Sequence, residues 1–314
     1  MTLILTAGTN NYVIQISDRK ITAKGKFISD KTNKSLILLC DDGRFIVGFT
    51  GLAQFPSSKE INPITKKAGF YMQDWLINTL HDIGQQENAI FSIAEQLKNK
   101  LSVLYENPSF SRQRLTVVFS GFIDNVSPSL WGSLFISNFQ RGYQGECINE
   151  AEEFQIFQVC SNKEVGSRFV TSFGDTQHIK PNDIEFLSDL VGNKDINMSI
   201  IKDGIEKRFR AIAHRSNRTI GENLNLVFLY NDPHSEPTVE FSGADSSKKA
   251  PYSSIIDLRQ KKAPFTIAHP TISLTEGEFP KKIFQVNRNK PCPCRSGLKY
   301  KRCHGQKKKT KNNY

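Results

Sequence analysis

Apolar positions near the start of the chain alternate with polar ones or run together in short blocks, and Gly, Asn, Asp and Pro separate the blocks. A period of two, or a short apolar run bounded by turn residues, predicts a strand. On that rule strands fall at 3–8, 11–18, 34–40, 44–49, 115–123, 130–138, 153–160, 167–173 and 224–230. Between the fourth and fifth of these the period lengthens. Met72, Trp75, Leu76, Leu80 and Ile83 share one helical face, as do Ile90, Ala94, Leu97, Leu101 and Leu104. A second helical pair follows at about 182–191 and 197–214, with Ile201, Ile205, Phe209 and Ile212 in register. Strands, two helices, strands, two helices and a strand predict an α+β protein of two packed sheets covered by helices on both outer faces. The pattern weakens from 251, where Pro251, Pro264, Pro270 and Pro280 predict an irregular linker over 251–286. The chain then divides into a domain over 2–250, that linker, a cysteine-rich segment over 287–305 and a basic tail over 306–314.

Charge sharpens this division. The chain carries 42 Lys+Arg against 31 Asp+Glu. From Lys281 to the end there are twelve basic residues and no acid, which leaves thirty basic and thirty-one acidic residues before it, a net of −1. The whole positive excess therefore sits at one end, and it predicts an acidic partner there, either rRNA phosphates or an acidic protein. The start Met-Thr-Leu lacks the basic and apolar regions of a signal peptide. No apolar run approaches the length of a membrane span. Cys40, Cys147 and Cys160 are isolated, so a reducing cytoplasm is the expected compartment.

The basic end also holds Pro291-Cys292-Pro293-Cys294-Arg295-Ser296-Gly297-Leu298-Lys299-Tyr300-Lys301-Arg302-Cys303-His304-Gly305. Cys292, Cys294, Cys303 and His304 supply three thiolates and an imidazole, a complete tetrahedral shell for structural Zn2+ with no position left for water. A segment too short for a hydrophobic core would take its folding energy from that metal. The string resembles the SEC-C zinc motif at the C-terminal end of the SecA translocation ATPase, with Arg295 and Leu298 replacing a usual Gly and Lys at non-ligand positions. The resemblance implies docking, to an acidic chaperone face or to the ribosome.

The N-terminus carries candidate chemistry. Met1 precedes a small residue and is expected to be removed, which would leave Thr2 with a hydroxyl and a free α-amine on one residue. The amine can then act as base for its own Oγ. Asp18 is in phase with Tyr12, Ile14 and Ile16, and Lys34 with Leu36, Leu38 and Cys40, so both are expected on buried faces and must pair. Phe45-Ile46-Val47-Gly48-Phe49-Thr50-Gly51 reads as a strand ending in a turn, where the Gly48 N–H is a candidate oxyanion donor.

Thr2, Asp18, Lys34 and Gly48 resemble the active-site set of proteasome β-type N-terminal nucleophile hydrolases, HslV-type bacterial peptidases among them. The intervals of sixteen residues from Thr2 to Asp18 and thirty-two from Thr2 to Lys34 equal those of the family, and Gly48-Phe49-Thr50-Gly51 resembles its Gly-Phe-Ala-Gly turn. The resemblance is specific over 2–51 and architectural from there to about 230. It implies a four-layer αββα sandwich and a threonine hydrolase acting on peptide or protein amides. Thr2 would attack, Lys34 would tune the amine, Asp18 would hold Lys34, and Lys20 would fall near the pocket mouth. Ring assembly in the family leaves a homo-oligomer as an open expectation. Family members also carry Asp-x-x-Ser-Gly. Aligning its Gly on Gly221 puts Asn217 and Ile220 at the Asp and Ser positions, with Thr219 one residue away, and Ser172 is a candidate second supporting serine. His178 and His214 lie near element ends without a partner motif and read as surface or core polar residues. A different class of function is also open: an inactive proteasome-like scaffold or adaptor that works by binding through its zinc motif.

Overall fold

The strand blocks of the sequence become two sheets because each presents two apolar faces, and each face needs its own cover. The protein is known here from a computed structural model, which describes residues 2–23, 26–30, 32–55, 69–124, 130–141, 146–148, 151–160, 168–193, 196–217, 219–232, 234–243, 254–259 and 271–274. The zinc-motif residues Cys292, Cys294, Cys303 and His304 and the basic tail lie outside the described residues. In chain order the elements begin β1 (Leu3–Thr9), β2 (Tyr12–Asp18), β3 (Ile21–Ala23), β4 (Lys26–Ser29), β5 (Ser35–Leu39), β6 (Gly43–Gly51), β7 (Gln54–Phe55) and β8 (Phe70–Tyr71). Next come α1 (Met72–Gly84), α2 (Ile90–Tyr105), β9 (Leu115–Ile123), β10 (Leu130–Ser137), β11 (Gln140–Arg141), β12 (Glu146–Cys147), β13 (Gln155–Cys160) and β14 (Arg168–Gly174). The series closes with α3 (Pro181–Gly192), α4 (Met198–Arg215), β15 (Leu224–Tyr230), β16 (Thr238–Ser242), β17 (Ser254–Asp257) and β18 (Thr271–Leu274).

The result is a mixed α/β protein. One six-stranded sheet has the order β14-β1-β2-β15-β16-β18, the other β13-β10-β9-β6-β5-β17. Strand alternation sorts the side chains into separate cores. Leu3, Leu5, Ile14, Ile16, Leu224 and Leu226 pack on Leu187, Ile201, Ile205 and Phe209 of α3 and α4. Leu36, Val47 and Phe119 of the other sheet pack on Leu76, Leu80, Ala94 and Leu97 of α1 and α2. A third core joins the sheets to each other, with Val13, Val227 and Phe241 from the first meeting Ile37, Ile46 and Phe122 from the second. Each such side chain contributes about 1.5–3 kcal/mol on full burial, so both helical layers are held mainly by these faces.

Two elements depart from the expectation for 251–286. Within that stretch β17 pairs in parallel with β5, and β18 pairs in parallel with β16. Ile256 and Leu258 enter the helix-side core, while Ile255 enters the core between the sheets. The reason is tertiary: each strand is only four residues long and is fixed by the open edge of a finished sheet, which leaves little periodic signal in its own sequence. Among the described residues no helix is long and apolar enough to cross a membrane.

Candidate active site

Thr2 directly precedes β1, Asp18 ends β2, and Lys34 directly precedes β5. Pairing of β1 with β2 brings the first two together, and the packing of one sheet on the other brings in the third. Lys34 and Asp18 are fully buried, and Thr2 is 3% exposed. The Lys34 Nζ donates to Thr2 Oγ1, to Asp18 Oδ2 at 3.4 Å and to the carbonyl oxygen of Lys20, so all three ammonium donors are used. Asp18 is held by three backbone N–H groups as well: Leu3 to Oδ1 at 3.0 Å, and Lys20 at 3.1 Å and Gly221 at 3.3 Å to Oδ2. A carboxylate bound on several sides is a fixed charge, and it orients the lysine. Burial pushes the Lys34 ammonium below its ordinary value of 10.5; the charge and hydrogen bond of Asp18 oppose this, and the charges of Arg19 and Lys20 add to it. A lysine so placed holds a hydroxyl oxygen through a proton that it keeps less firmly than an exposed lysine does.

The backbone of Thr2 is clamped as firmly as its hydroxyl. Its carbonyl accepts from Thr50 Oγ1 at 2.6 Å and from the Asp175 N–H at 3.0 Å. The approach demands glycine at position 174: its φ is +91°, and a Cβ there would lie 2.0 Å from the Thr2 carbonyl oxygen. The chain turn at Gly174 thus delivers Asp175 to the nucleophile candidate. Asp175 is buried, its Oδ2 accepts from Thr219 Oγ1 at 3.0 Å, and its Oδ1 stands 4.0 Å from His178 Nε2.

The other expected residues fall as follows. Lys20 takes part through its main chain, donating to Asp18 and accepting from Lys34. Gly48 is not at a turn. Strand β6 continues to Gly51, and Gly48 stands between Ser35 of β5 and Val118 of β9. The Phe49 N–H donates to the Lys34 carbonyl and the Leu52 N–H to Arg114, so alternation along the strand directs the Gly48 N–H into the ladder toward Val118. Its missing side chain makes room for Gln15, whose Oε1 would be 2.4 Å from a Cβ. Ser172 stands opposite Leu5, a residue of the helix-side core, so alternation sends its hydroxyl to that face. Asn217 is exposed and has a φ of +48°, the left-handed conformation of a residue that ends a helix, here α4. Of the altered segment, Thr219 and Gly221 reach the site and Ile220 enters the core.

Sequence reasoning passed over Thr50 and Asp175. Thr50 lay inside the Gly-Phe-Thr-Gly string as filler. Asp175 had a weak signal, an acid directly after a strand-ending glycine, which is a common turn pair.

Comparison with known proteins adds the following. Residues 288–306 match the SEC-C motif. Protein translocase subunit SecA of Alcanivorax borkumensis is 51% identical over 43 residues, which is 12% of this chain and 5% of that protein. SecA of Beijerinckia indica subsp. indica is 55% identical over 40 residues, 12% of this chain and 4% of that protein. The chain therefore spans only a small part of the length of the curated relatives it matches. Among solved structures, the Anbu (Gly-1) mutant from Hyphomicrobium sp. strain MC1 has 12% identity and a TM-score of 0.45, covering 73% of this chain and 82% of that one. Anbu (ancestral beta-subunit) from Yersinia bercovieri has 11% identity and a TM-score of 0.44, covering 73% and 81%.

Proposed function

We propose that this chain is a threonine-type amidohydrolase acting on peptide bonds, with Thr2 as nucleophile after removal of Met1 and with the αββα layering of the N-terminal nucleophile hydrolases. One observation carries the reading: a fully buried Lys34 with its ordinary ammonium value lowered donates to Thr2 Oγ1 while Asp18 fixes its other side. In this scheme the freed α-amine takes the Oγ proton as Oγ bonds to the amide carbon. Collapse of the tetrahedral adduct breaks the C–N bond, the amine leaving group takes that proton, and water then hydrolyses the Thr2 ester. Lys34 stabilises the charge developing on Oγ, Asp18 positions Lys34, and the Asp175 N–H with Thr50 Oγ1 holds the Thr2 backbone in attack geometry. Gly48 has no role in this scheme.

The C-terminal segment works as a docking module in the same proposal. Three thiolates and one imidazole suit Zn2+ in chemistry and number, so Cys292, Cys294, Cys303 and His304 would hold one ion, which would supply the folding energy of the segment. Its unbroken positive charge fits an acidic partner. The match to the SEC-C motif favours that reading and also supports the rival one, an adaptor that binds and does not cleave.

Mass spectrometry of the chain with its native N-terminus, before and after a peptide epoxyketone, separates the two. That reagent closes a ring on the hydroxyl and the free amine of an N-terminal threonine. Loss of Met1 with an adduct on Thr2, absent in Lys34→Ala, is the expected result. Retention of Met1, or an adduct elsewhere on the chain, leaves the adaptor reading standing.

A further inference from the structure

The first sheet has an apolar face toward its helices and a mixed one toward the other sheet, where polar side chains lie among Ile4, Val13, Phe173 and Val227. Five buried atoms on the inner face lack a hydrogen-bond partner among the described residues: Thr6 Oγ1, Gln15 Nε2, Ser17 Oγ, Thr171 Oγ1 and Asn225 Oδ1. All five residues are buried, four of them completely. Their direction follows from alternation. Thr6 is in phase with Ile4, Gln15 and Ser17 with Val13, Thr171 with Phe173 and Asn225 with Val227, and these apolar neighbours belong to the cores away from α3 and α4. Register makes the set contiguous across β14, β1, β2 and β15: Thr6 stands opposite both Thr171 and Gln15, and Ser17 opposite Asn225. The facing wall is polar too. Ser35 Oγ donates to Gln15 Oε1 at 3.3 Å, Asn33 Oδ1 accepts from Asn225 Nδ2 at 2.6 Å, and Ser120 and Ser133 share a hydrogen bond at 2.8 Å.

Buried polar atoms nearly always find partners, so five orphans on one surface point to a ligand. The donor set selects its kind. Gln15 Nε2 can only donate, Asn225 Oδ1 can only accept, and the three hydroxyls do either. Flipping either amide exchanges its roles and leaves an orphan in place. A cation would serve only the oxygens and an anion only the donors. A small molecule that both donates and accepts serves all five.

We propose that the polar seam between the sheets, behind the Thr2 cluster, binds about two water molecules, each making about three hydrogen bonds to these residues. The site depends on no catalytic role for Thr2. Its neighbours in sequence give it a consequence: Ser17 immediately precedes Asp18, and Asn33 immediately precedes Lys34. The waters therefore brace the two chain segments that carry the buried ion pair.

The test uses the full chain and two near-isosteric variants, Thr6→Val and Thr171→Val, with Thr6→Ser as a control that keeps the hydroxyl. Oxygen-17 water relaxation dispersion reads long-lived internal waters directly. The wild type should show a dispersion that falls by about one water in either Val variant and is kept in Thr6→Ser. Melting temperature should fall by a few degrees in the Val variants, because the remaining partners lose their bridge. A dry face predicts the opposite, since replacing an orphan hydroxyl by a methyl removes an unsatisfied group. Unchanged dispersion, or a melting temperature at or above that of the wild type, overturns the proposal. Should one Val variant fail to fold, the other decides on the same two readings.

Discussion

Asp18 and Asp183 are both buried carboxylates held by backbone N–H groups and by cations, but their cations differ. Asp183, 2% exposed, accepts from the Lys180 N–H at the start of α3, from Arg208 Nη1 at 3.0 Å and from Arg215 Nη2. Those two arginines are 29% and 28% exposed, and Arg208 also stacks over Phe186 at 4.1 Å. Guanidinium keeps its proton at any working pH, so this cluster is a permanent brace between α3 and α4. Asp18 faces a single ammonium that is wholly buried and pushed below its ordinary value. That ammonium donates to a threonine hydroxyl. The same fold thus holds one ion cluster suited to stability and one suited to chemistry, distinguished by the kind of cation and its access to water.

The largest expected effect comes from emptying the second cluster. Thr2→Ala and Lys34→Ala should each lower peptide turnover by a factor on the order of 10⁴ or more, measured on a fluorogenic peptide that the wild type cleaves. Lys34→Arg keeps a positive charge but loses the compact ammonium that sits on Thr2 Oγ1. A drop of about 10²-fold or more in kcat is expected, and wild-type turnover by this variant would refute the need for a lysine ammonium at that oxygen. Asp183→Ala should do the converse. Removing one partner of a buried cluster costs about 3–5 kcal/mol in denaturant unfolding, while kcat per folded molecule stays at the wild-type level.

The smallest effect separates the clusters by pH. The folded-state value of Lys34 lies below its ordinary 10.5, so between those two values the folded protein binds fewer protons than the unfolded chain. Stability contributed by this group therefore rises with pH across that window, by at most about 1.4 kcal/mol per unit, and is level outside it. Unfolding curves at stepped pH should show the rise in the wild type and lose it in Lys34→Met, whereas Asp183→Ala should keep it.

Much of this was legible in the sequence, for reasons particular residues make clear. Long strands such as Leu115–Ile123 and helices such as Met198–Arg215 announce themselves because their periodicity repeats over many residues. Asp18 and Lys34 were legible because a charge in phase with buried apolar residues must find a partner. Gly48 was misplaced because a glycine inside a strand looks like one at a turn until its neighbour Gln15 is seen. Asp175 was missed because its meeting with Thr219 spans 44 residues and depends on a loop rather than on a repeat. Strands β17 and β18 were hidden because an edge strand is dictated by the sheet it joins.

Those two strands also set how the molecule would carry a mechanical load. The chain runs from β16 to β17 in one sheet edge and on to β18 in the other before it reaches the basic end. Among the described residues, tension applied from beyond Leu274 meets β18 first, which β16, β15 and β2 separate from β1, the strand that Thr2 precedes. Only after β18 has peeled away does the force reach β17, which pairs with β5, the strand that starts one residue beyond Lys34. By position alone, the outer strand is therefore the first of the described strands to take such a load, ahead of the one beside the lysine.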